Sequence, residues 1–227
     1  PPMSNMGNVV NKGWEFSVNY NGSAAQGKLT YNVWGNFSTN KGYVREYGVR
    51  QGAVMHTSPN LNSNPILYSD AGQPWYSFMV YRTAGIFRSQ DEINKYIYKN
   101  PETGEAKLLM PDAKVGDLIF IDTNNDGSLD QKDLVYLGNA DPTIYGGLQN
   151  TFNIGQLKVG VYFAYSLGGK IYNYSELYMA GTYSSNQYRY MANSWHPVRN
   201  PDSDLPRAGA VQVHVPSDLQ VHDASYL

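Results

Sequence analysis

The sequence predicts an all-β chain of antiparallel strands with long loops and one short helix. Two segments in which apolar and polar residues alternate carry this prediction, because a period of two gives an extended strand one apolar and one polar face. Composition is also unusual. Charged residues make up 16% of the 227 residues, well under the roughly 25% of ordinary globular domains, while 20 tyrosines, 7 phenylalanines and 4 tryptophans are present.

Charge and cysteine content exclude several function classes. The chain has 17 basic and 19 acidic residues, a net charge of −2, and no basic stripe, so nucleic acid is not an expected partner. The absence of cysteine removes disulfides, thiolate metal sites and cysteine nucleophiles. The chain contains no run of 18 apolar residues, so the sequence predicts no transmembrane helix. A membrane β-barrel is not excluded, because its strands need only about 9 to 11 residues of alternating character.

The first predicted hairpin covers residues 13–38. On its first strand Trp14, Phe16, Val18 and Tyr20 alternate with Glu15, Ser17 and Asn19. The tripeptide Asn21-Gly22-Ser23 is a turn signal, and the alternation resumes from Lys28 to Ser38. The two halves are expected to pair as antiparallel strands.

The second predicted hairpin covers residues 143–167. Ile144, Leu148 and Phe152 alternate with polar residues, and Gly155-Gln156 is a turn signal before a second alternating run from Leu157 to Tyr165. Periodicity is weak between the hairpins, and residues 57–65 and 183–216 are predicted loops. Loops of that length are uncommon in a compact domain unless they are functional.

One short helix is expected between the hairpins. Ser89 to Glu92 fits the Ser-x-x-Glu capping box, in which each side chain satisfies a backbone donor of the first turn. Ile93, Tyr96 and Ile97 follow at helical spacing, and Asn100-Pro101 is the expected stop.

Residues 122–133 follow the calcium-loop pattern D-x-[DN]-x-[DN]-G-x5-E, with aspartate at the last position. Such a loop wraps oxygen ligands around Ca²⁺ and turns sharply at its glycine, here Gly127. The alternative is an Asx-turn cluster without metal, since Asp, Asn and Gly are also turn residues. Four oxygen side chains at the right offsets favour a structural calcium of modest affinity, about 10⁻⁴ to 10⁻³ M. The predicted ligands are Asp122, Asn124, Asp126, the Ser128 carbonyl, Asp130 and Asp133.

Other candidate sites are weaker, and no catalytic residue is predicted. The four histidines, His56, His196, His214 and His222, lack metal-ligand spacing. Scattered loop acids, Asp91, Glu92, Asp202 and Asp204, are expected to be solvated charges, not a glycosidase pair. Five loop aromatics could stack on sugar rings or pack within the loops, and both interpretations stay open. They are Trp75, Tyr76, Tyr188, Tyr190 and Trp195.

Several segments, taken in order, match one known family. They are residues 11–15, 29–38, 85–93, 116–120, 122–133, 137–142 and 145–147. Together they resemble the late barrel and loop segments of the SusC/RagA family of TonB-dependent outer-membrane transporters. The resemblance runs from about Gly7 to Leu227. It implies that residues 1–227 are a C-terminal segment of a transmembrane β-barrel that stops before the last barrel strands.

The resemblance also implies where this segment lies and what it contacts. Residues 43–137 and 178–216 would be extracellular loop regions, in contact with substrate and with a SusD-like surface lipoprotein, and the barrel strands would face outer-membrane lipid. TonB would act through an N-terminal plug and TonB box that the chain does not contain. A member of that family imports oligosaccharides or peptides and is not an enzyme. Two alternatives stay open: a secreted calcium-stabilised carbohydrate-binding module, and an extracellular glycan-cleaving enzyme.

Overall fold

Antiparallel strands make up most of the regular structure, as predicted. The computed structural model describes residues 7–46, 54–56, 66–180, 186–210 and 215–227. The strands in this part are β1 Asn8–Ala24, β2 Leu29–Glu46, β3 Val54–His56, β4 Leu67–Ser69, β5 Ser77–Val80, β6 Thr83–Ile86, β7 Ile97–Lys99, β8 Ala106–Leu108, β9 Leu118–Phe120, β10 Val135–Tyr136, β11 Ile144–Ile154, β12 Leu157–Leu167, β13 Lys170–Tyr172 and β14 Val221–Asp223. The helices there are α1 Gln90–Lys95 and α2 Tyr174–Met179, with 3₁₀ turns at Gln131–Asp133, Arg189–Asn193 and Asp218–Gln220. None of these helices has the length and apolar character needed to cross a membrane.

The long strands form one sheet in the order β1-β2-β11-β12. β1 pairs with β2 along nearly its whole length, β2 pairs with β11, and β11 pairs with β12, all antiparallel. The Gly155-Gln156 turn joins β11 to β12 as predicted, and Gly155 takes a φ of +60°, which favours glycine. Each of the two hairpins consists of two long, continuous strands in which apolar and polar residues alternate.

The turn predicted at Asn21-Gly22-Ser23 is wrong, because β1 continues through these residues to Ala24. The chain reverses at residues 25–28, where Gly27 N–H donates to the Ala24 carbonyl at 3.2 Å. Gly22 has a packing role instead. A Cβ at this position would lie 2.4 Å from the ring of Tyr31 on the paired strand. Glycine here leaves room for the ring of Tyr31 in the position it occupies.

The remaining described segments, residues 66–137 and those between 169 and 227, form a folded layer that we call the cap. It contains the short sheets and two buried apolar clusters. One cluster consists of Ile86, Leu118, Phe120 and Ala210, and the other of Ile66, Phe78, Val80 and Tyr172. Each joins residues far apart in the sequence. The segments predicted as loops therefore hold most of the buried core, which their weak periodicity did not indicate.

The cap is attached to one end of the sheet by backbone hydrogen bonds. At β2, Val44 N–H donates to Gln73 and the Val44 carbonyl accepts from Gly72, at 2.9 and 2.8 Å. At the end of β12, Ser166 and Tyr226 exchange two bonds of 3.0 and 2.9 Å. The opposite end of the sheet carries only the two short turns. Long connections at one end and short turns at the other are typical of outer-membrane barrels.

The predicted helix is present as α1, but it is shorter than expected. Ser89 caps it by accepting from Glu92 N–H at 3.2 Å, and Glu92 accepts from Arg88 N–H at 2.6 Å. The helix ends at Lys95, and Ile97 belongs to strand β7, so the Asn100-Pro101 stop ends a strand and not the helix. Helix α2 was not predicted. Its N-cap is Asn173, which accepts from Glu176 N–H at 3.3 Å.

Candidate functional site

One face of the four-stranded sheet is predominantly apolar, with Thr39 and Asn150 as its polar members. Pairing aligns the strands in rows of four residues, and six successive rows place a residue from every strand on this face, from Trp14 to Ala24 on β1. None of the residues on these rows is charged. Its large apolar members are Trp14, Phe16, Val18, Tyr20, Leu29, Tyr31, Val33, Phe37, Ile144, Leu148, Phe152, Ile154, Leu157, Val159, Val161, Phe163, Tyr165 and Leu167.

Most of this apolar face is exposed. Trp14 is 81% exposed and Phe16 is 65% exposed, values that are costly for such side chains in water. From the first to the last row each strand advances ten residues, about 33 Å at roughly 3.3 Å per residue. Strands tilted by about 40° would span roughly 25 Å across a bilayer, the height of the lipid-facing band of outer-membrane barrels. Lys12 pairs with Lys41 just beyond the first row and marks the edge of the uncharged band.

The opposite face of the sheet is polar. Its five intervening rows carry mainly Asn, Ser, Thr, Gln and Gly, and the other members are Glu15, Trp34, Tyr145, Lys158, Tyr162 and Ala164. Neighbouring side chains hydrogen bond across the strands: the amide of Asn32 donates to Asn19 and Asn21 at 2.5 and 2.7 Å. Apolar and polar residues are thus separated between the two faces, as in a barrel with a lipid exterior and a hydrated interior.

The start of the acidic loop at residues 122–133 is held by side chains that accept backbone N–H groups. Asp122 accepts from Asp126 and Gly127 at 3.2 and 2.7 Å, and Asn124 accepts from Asp126 at 2.9 Å. Asp126 accepts from Ser128 N–H at 2.9 Å. This bond, with contacts from the Asn124 amide and Lys132, holds the pKa of Asp126 below its ordinary value. These are the bonds of consecutive Asx turns.

The end of the loop is anchored by a buried carboxylate. Asp133 is 0% exposed; its Oδ1 accepts from Thr123 N–H at 2.8 Å and its Oδ2 accepts from Asp130 N–H at 2.9 Å. Asp130 accepts from Lys132 N–H at 2.8 Å in the same 3₁₀ capping box. The two ends of the loop are therefore tied to one side chain. Burial raises the pKa of Tyr81, and the charges of Asp133 and Asp130 raise it further.

The loop has the donor chemistry of a calcium site but not the arrangement of one. In the described part of the chain, no three histidine or acidic side chains converge as metal ligands would. An ionised carboxylate can accept about four hydrogen bonds, so Asp122 and Asp130 keep lone pairs for a metal, whereas Asp133 already accepts four. Oxygen ligands of this kind suit Ca²⁺. The calcium site at Asp122, Asn124, Asp126, Ser128, Asp130 and Asp133 stays a prediction.

The acidic loop packs against the hairpin formed by β7 and β8. Gly127 is buried with a φ of +82°, and a Cβ there would lie 2.4 Å from the ring of Tyr98 on β7. The ammonium of Lys107 on β8 lies 5.8 Å from the centre of the same ring. Glycine suits position 127 for two reasons. The backbone is left-handed there, and the ring of Tyr98 lies where a Cβ would be.

Replacing Gly127 with alanine is expected to destabilise the cap more than replacing Gly104 with alanine. Gly104 has a similar φ of +72° but open space where its Cβ would lie. Both variants incur the backbone cost, so the difference isolates the Tyr98 contact, worth about 1–3 kcal/mol for an overpacked site. Amide hydrogen exchange around each substituted glycine in the full-length protein measures the two losses of stability. Equal effects of the two substitutions would show that the ring does not constrain the loop.

The five candidate ligand-binding aromatics do not form one platform. Trp75 and Tyr76 contact each other edge to face at 5.5 Å, and Tyr188 stacks on Tyr190 at 5.4 Å. Trp195 packs against the cluster around Ile86 and donates from Nε1 to the Pro201 carbonyl at 3.1 Å. Whether any of these rings contacts a ligand stays a prediction. The structure places Tyr190 and Trp195 in neighbouring clefts that share Met191.

The cleft beside Trp195 has a volume of about 470 Å³ and includes residues that the sequence did not single out. Arg199 and Arg207 line it, with apolar walls from Met191, Ala192 and Ala208. Arg207 Nε donates to Asp117 at 2.6 Å, and Asp117 is 1% exposed. These residues lie about 90 positions apart, so no local pattern could have indicated the pair.

The other predicted or excluded residues occupy ordinary surface positions. Asp91 pairs with Lys95 at 2.5 Å and Asp204 pairs with Arg88 at 2.6 Å, both exposed. His222 Nε2 lies 2.6 Å from Glu176, which also accepts from the Tyr190 hydroxyl at 2.8 Å. The His56 side chain, His214 and the predicted loop at 57–65 lie outside what the structure describes.

Comparison with known proteins finds relatives along nearly the whole chain. The TonB-dependent receptor P26 of Formosa agariphila is 28% identical over 232 residues, covering 99% of this chain and 22% of that protein. The TonB-dependent receptor P3 of the same organism is 26% identical over 227 residues, covering 99% and 21%. No family model matches. The resemblance to TonB-dependent receptors expected from the sequence is confirmed, and the chain spans about a fifth of the length of these relatives.

Solved structures share the same fold. The structure of the RagAB peptide transporter matches with a TM-score of 0.67 at 18% identity, covering 97% of this chain and 22% of that chain. The RagAB peptide importer in its closed-closed state matches with a TM-score of 0.68 at 18% identity, over 97% and 22%. Sheet and cap together therefore have the architecture of part of a large transporter barrel.

Proposed function

We propose that this chain is part of an outer-membrane importer that takes up nutrients in a TonB-dependent manner. The four-stranded sheet forms a section of the barrel wall, and the cap forms part of its extracellular surface. The observation that carries the proposal is the uncharged apolar face, six rows deep, opposite a polar face. A secreted carbohydrate-binding module or a glycan-cleaving enzyme would expose that face to water, which the hydrophobic effect opposes.

We further propose that the cap contributes to capture of an oligosaccharide or a peptide, together with a SusD-like surface lipoprotein. Support comes from the structural neighbours, which are a peptide transporter and a peptide importer. The cap supports a binding role because it is folded around its own core and holds clefts lined by aromatic and charged side chains. TonB would act on a part of the transporter outside this chain.

The orientation of the sheet in the membrane tests the proposal. Cysteine at Asn186, in the cap, is expected to react with a membrane-impermeant maleimide on intact cells expressing the full-length protein. The matched control is cysteine at Gln156, which is equally exposed but lies in the short turn at the far end of the sheet. It should react only after the outer membrane is opened. Labelling of Gln156 alone, or protection of both positions, would contradict the proposed location.

Calcium binding is tested by titration of the purified full-length protein. We expect a measurable heat and slower amide exchange in residues 122–133, because the ligand spacing matches that of calcium loops. Asp126→Ala removes one predicted ligand and should abolish both effects. The control is Asp141→Ala, an exposed carboxylate outside the loop. No heat with the unaltered protein, or full heat with Asp126→Ala, would remove the calcium site.

A further inference from the structure

We propose that the cleft beside Trp195 binds the free C-terminal carboxylate of a short peptide, with Arg199 as the cation that holds it. The inference rests on the proposed import function and assigns a site and a ligand chemistry to it. At about 470 Å³ the cleft lies within the range of small-ligand sites in proteins. None of the described residues that line it is acidic.

The two arginines of the cleft differ in their partners. Arg207 is paired with Asp117, so its charge is already balanced by a buried carboxylate. Arg199 is exposed and makes no ion pair within the described residues. A planar guanidinium can form two parallel hydrogen bonds to a carboxylate. Arg199 is therefore the group on which an incoming anion would be held.

The turn that carries Arg199 is ordered before any ligand arrives. His196 and Asn200 exchange backbone hydrogen bonds of 3.3 and 3.1 Å across it. His196 Nδ1 accepts from the N–H groups of Val198 and Arg199, both at 3.2 Å. In the neutral ring these bonds place the proton of His196, which also lines the cleft, on Nε2. Such preorganisation lowers the entropic cost of binding.

The lining favours the end of a peptide over a sugar acid. Met191, Ala192 and Ala208 offer apolar walls, which suit an aliphatic side chain next to the carboxylate. Part of the Trp195 ring packs against Gly116, where a Cβ would lie 2.5 Å from it. A sugar would need several hydrogen-bonding partners for its hydroxyl groups, and two polar side chains of the cleft already donate within the protein. Ser194 Oγ donates to the Met191 carbonyl at 2.7 Å, and the Asn200 amide donates to the Ser194 carbonyl at 3.2 Å.

Calorimetry with the purified full-length protein tests the assignment. The probe is the tripeptide Ala-Ala-Leu, compared with its C-terminal amide, in which an uncharged NH2 donor replaces one carboxylate oxygen. We expect the amide to bind about tenfold more weakly or worse, because charge-assisted hydrogen bonds are lost. Arg199→Gln should weaken binding of the free acid similarly and remove the difference between the two peptides. The control Arg189→Gln, an exposed arginine outside the cleft, should change neither.

Three results would overturn the proposal. These are equal binding of acid and amide, full discrimination by Arg199→Gln, and binding of trigalacturonate in place of the peptide, which would assign the cleft to sugar acids. The protein used for calorimetry also carries the cysteine at Asn186, so surface labelling is measured on the cells from which it is purified. Normal surface labelling without carboxylate dependence rejects the cleft assignment alone, whereas absent surface labelling rejects the proposed membrane location.

Discussion

Replacing Leu148 with arginine should sharply reduce the amount of folded full-length protein in the outer membrane. Leu148 lies on the central strand β11, in the third of the six rows of the apolar face. At that depth a lipid-facing arginine costs about 2–4 kcal/mol in a membrane barrel. This is a large fraction of the stability of an ordinary domain, about 5–15 kcal/mol. The folded fraction is measured by gel mobility with and without boiling, and the stability by urea titration in lipid vesicles.

Gln149→Arg is the matched control for this prediction. It changes the next residue of the same strand, which faces the polar side between Trp34 and Tyr162. The same charge placed there should be tolerated, because the polar face is hydrated. The comparison separates the effect of the lipid from any general effect of arginine on β11. Equal loss in both variants, or normal assembly of Leu148→Arg, would contradict the assignment of the apolar face to lipid.

The sequence was sufficient to predict the long strands because strand alternation is a local property, whereas the pairing of β2 with β11, more than 100 residues apart, was not predicted. The polar neighbours on either side of residues such as Phe16 and Val161 show which face of the strand each of them lies on. Antiparallel pairing then aligns the apolar faces of neighbouring strands. The composition has the same cause. A lipid-facing surface excludes charge, which explains why a chain rich in tyrosine has so few ionised residues.

The turn at residues 25–28 and the cap could not be predicted in the same way. Asn21-Gly22-Ser23 has the composition of a turn, yet the space needed by Tyr31 on the paired strand decides the role of Gly22. In the cap, burial depends on contacts between distant segments, such as Ile86 with Ala210. Those contacts leave no periodic signal, because each strand there is only two to four residues long.

The acidic loop shows how a motif can have two physical explanations. Its spacing predicts ligands around a cation, and the same spacing supplies carboxylates to the backbone N–H groups of a tightly folded loop. Asp126 and Asp133 separate the two explanations. Asp126 lies at the exposed side of the loop, whereas Asp133 is fully buried and joins the two ends. A substitution at each position therefore reports a different property.

Asp133→Ala is expected to unfold the acidic loop whether or not calcium is present. The carboxylate accepts three backbone N–H groups, from Thr123, Asn124 and Asp130, and also contacts the Thr123 hydroxyl at 3.3 Å. Alanine removes the acceptor of these part-buried bonds, at about 1–3 kcal/mol for each donor left unsatisfied. The local free energy of opening should fall by at least about 3 kcal/mol. Hydrogen exchange of the amides of Thr123 and Asp130 measures it directly.

Asp133→Asn and Asp126→Ala complete the test. Asparagine keeps one acceptor oxygen but places an amide donor opposite N–H donors. The free energy of opening in Asp133→Asn should therefore lie between that of Asp133→Ala and that of the unaltered protein. Asp126→Ala should leave the exchange of the Thr123 and Asp130 amides nearly unchanged without calcium, because its own bonds lie at the solvent-exposed side. If Asp133→Ala exchanged no faster than Asp126→Ala, the buried carboxylate would not hold the loop. If only added calcium revealed a difference between them, the loop would depend on the metal and not on its own hydrogen bonds.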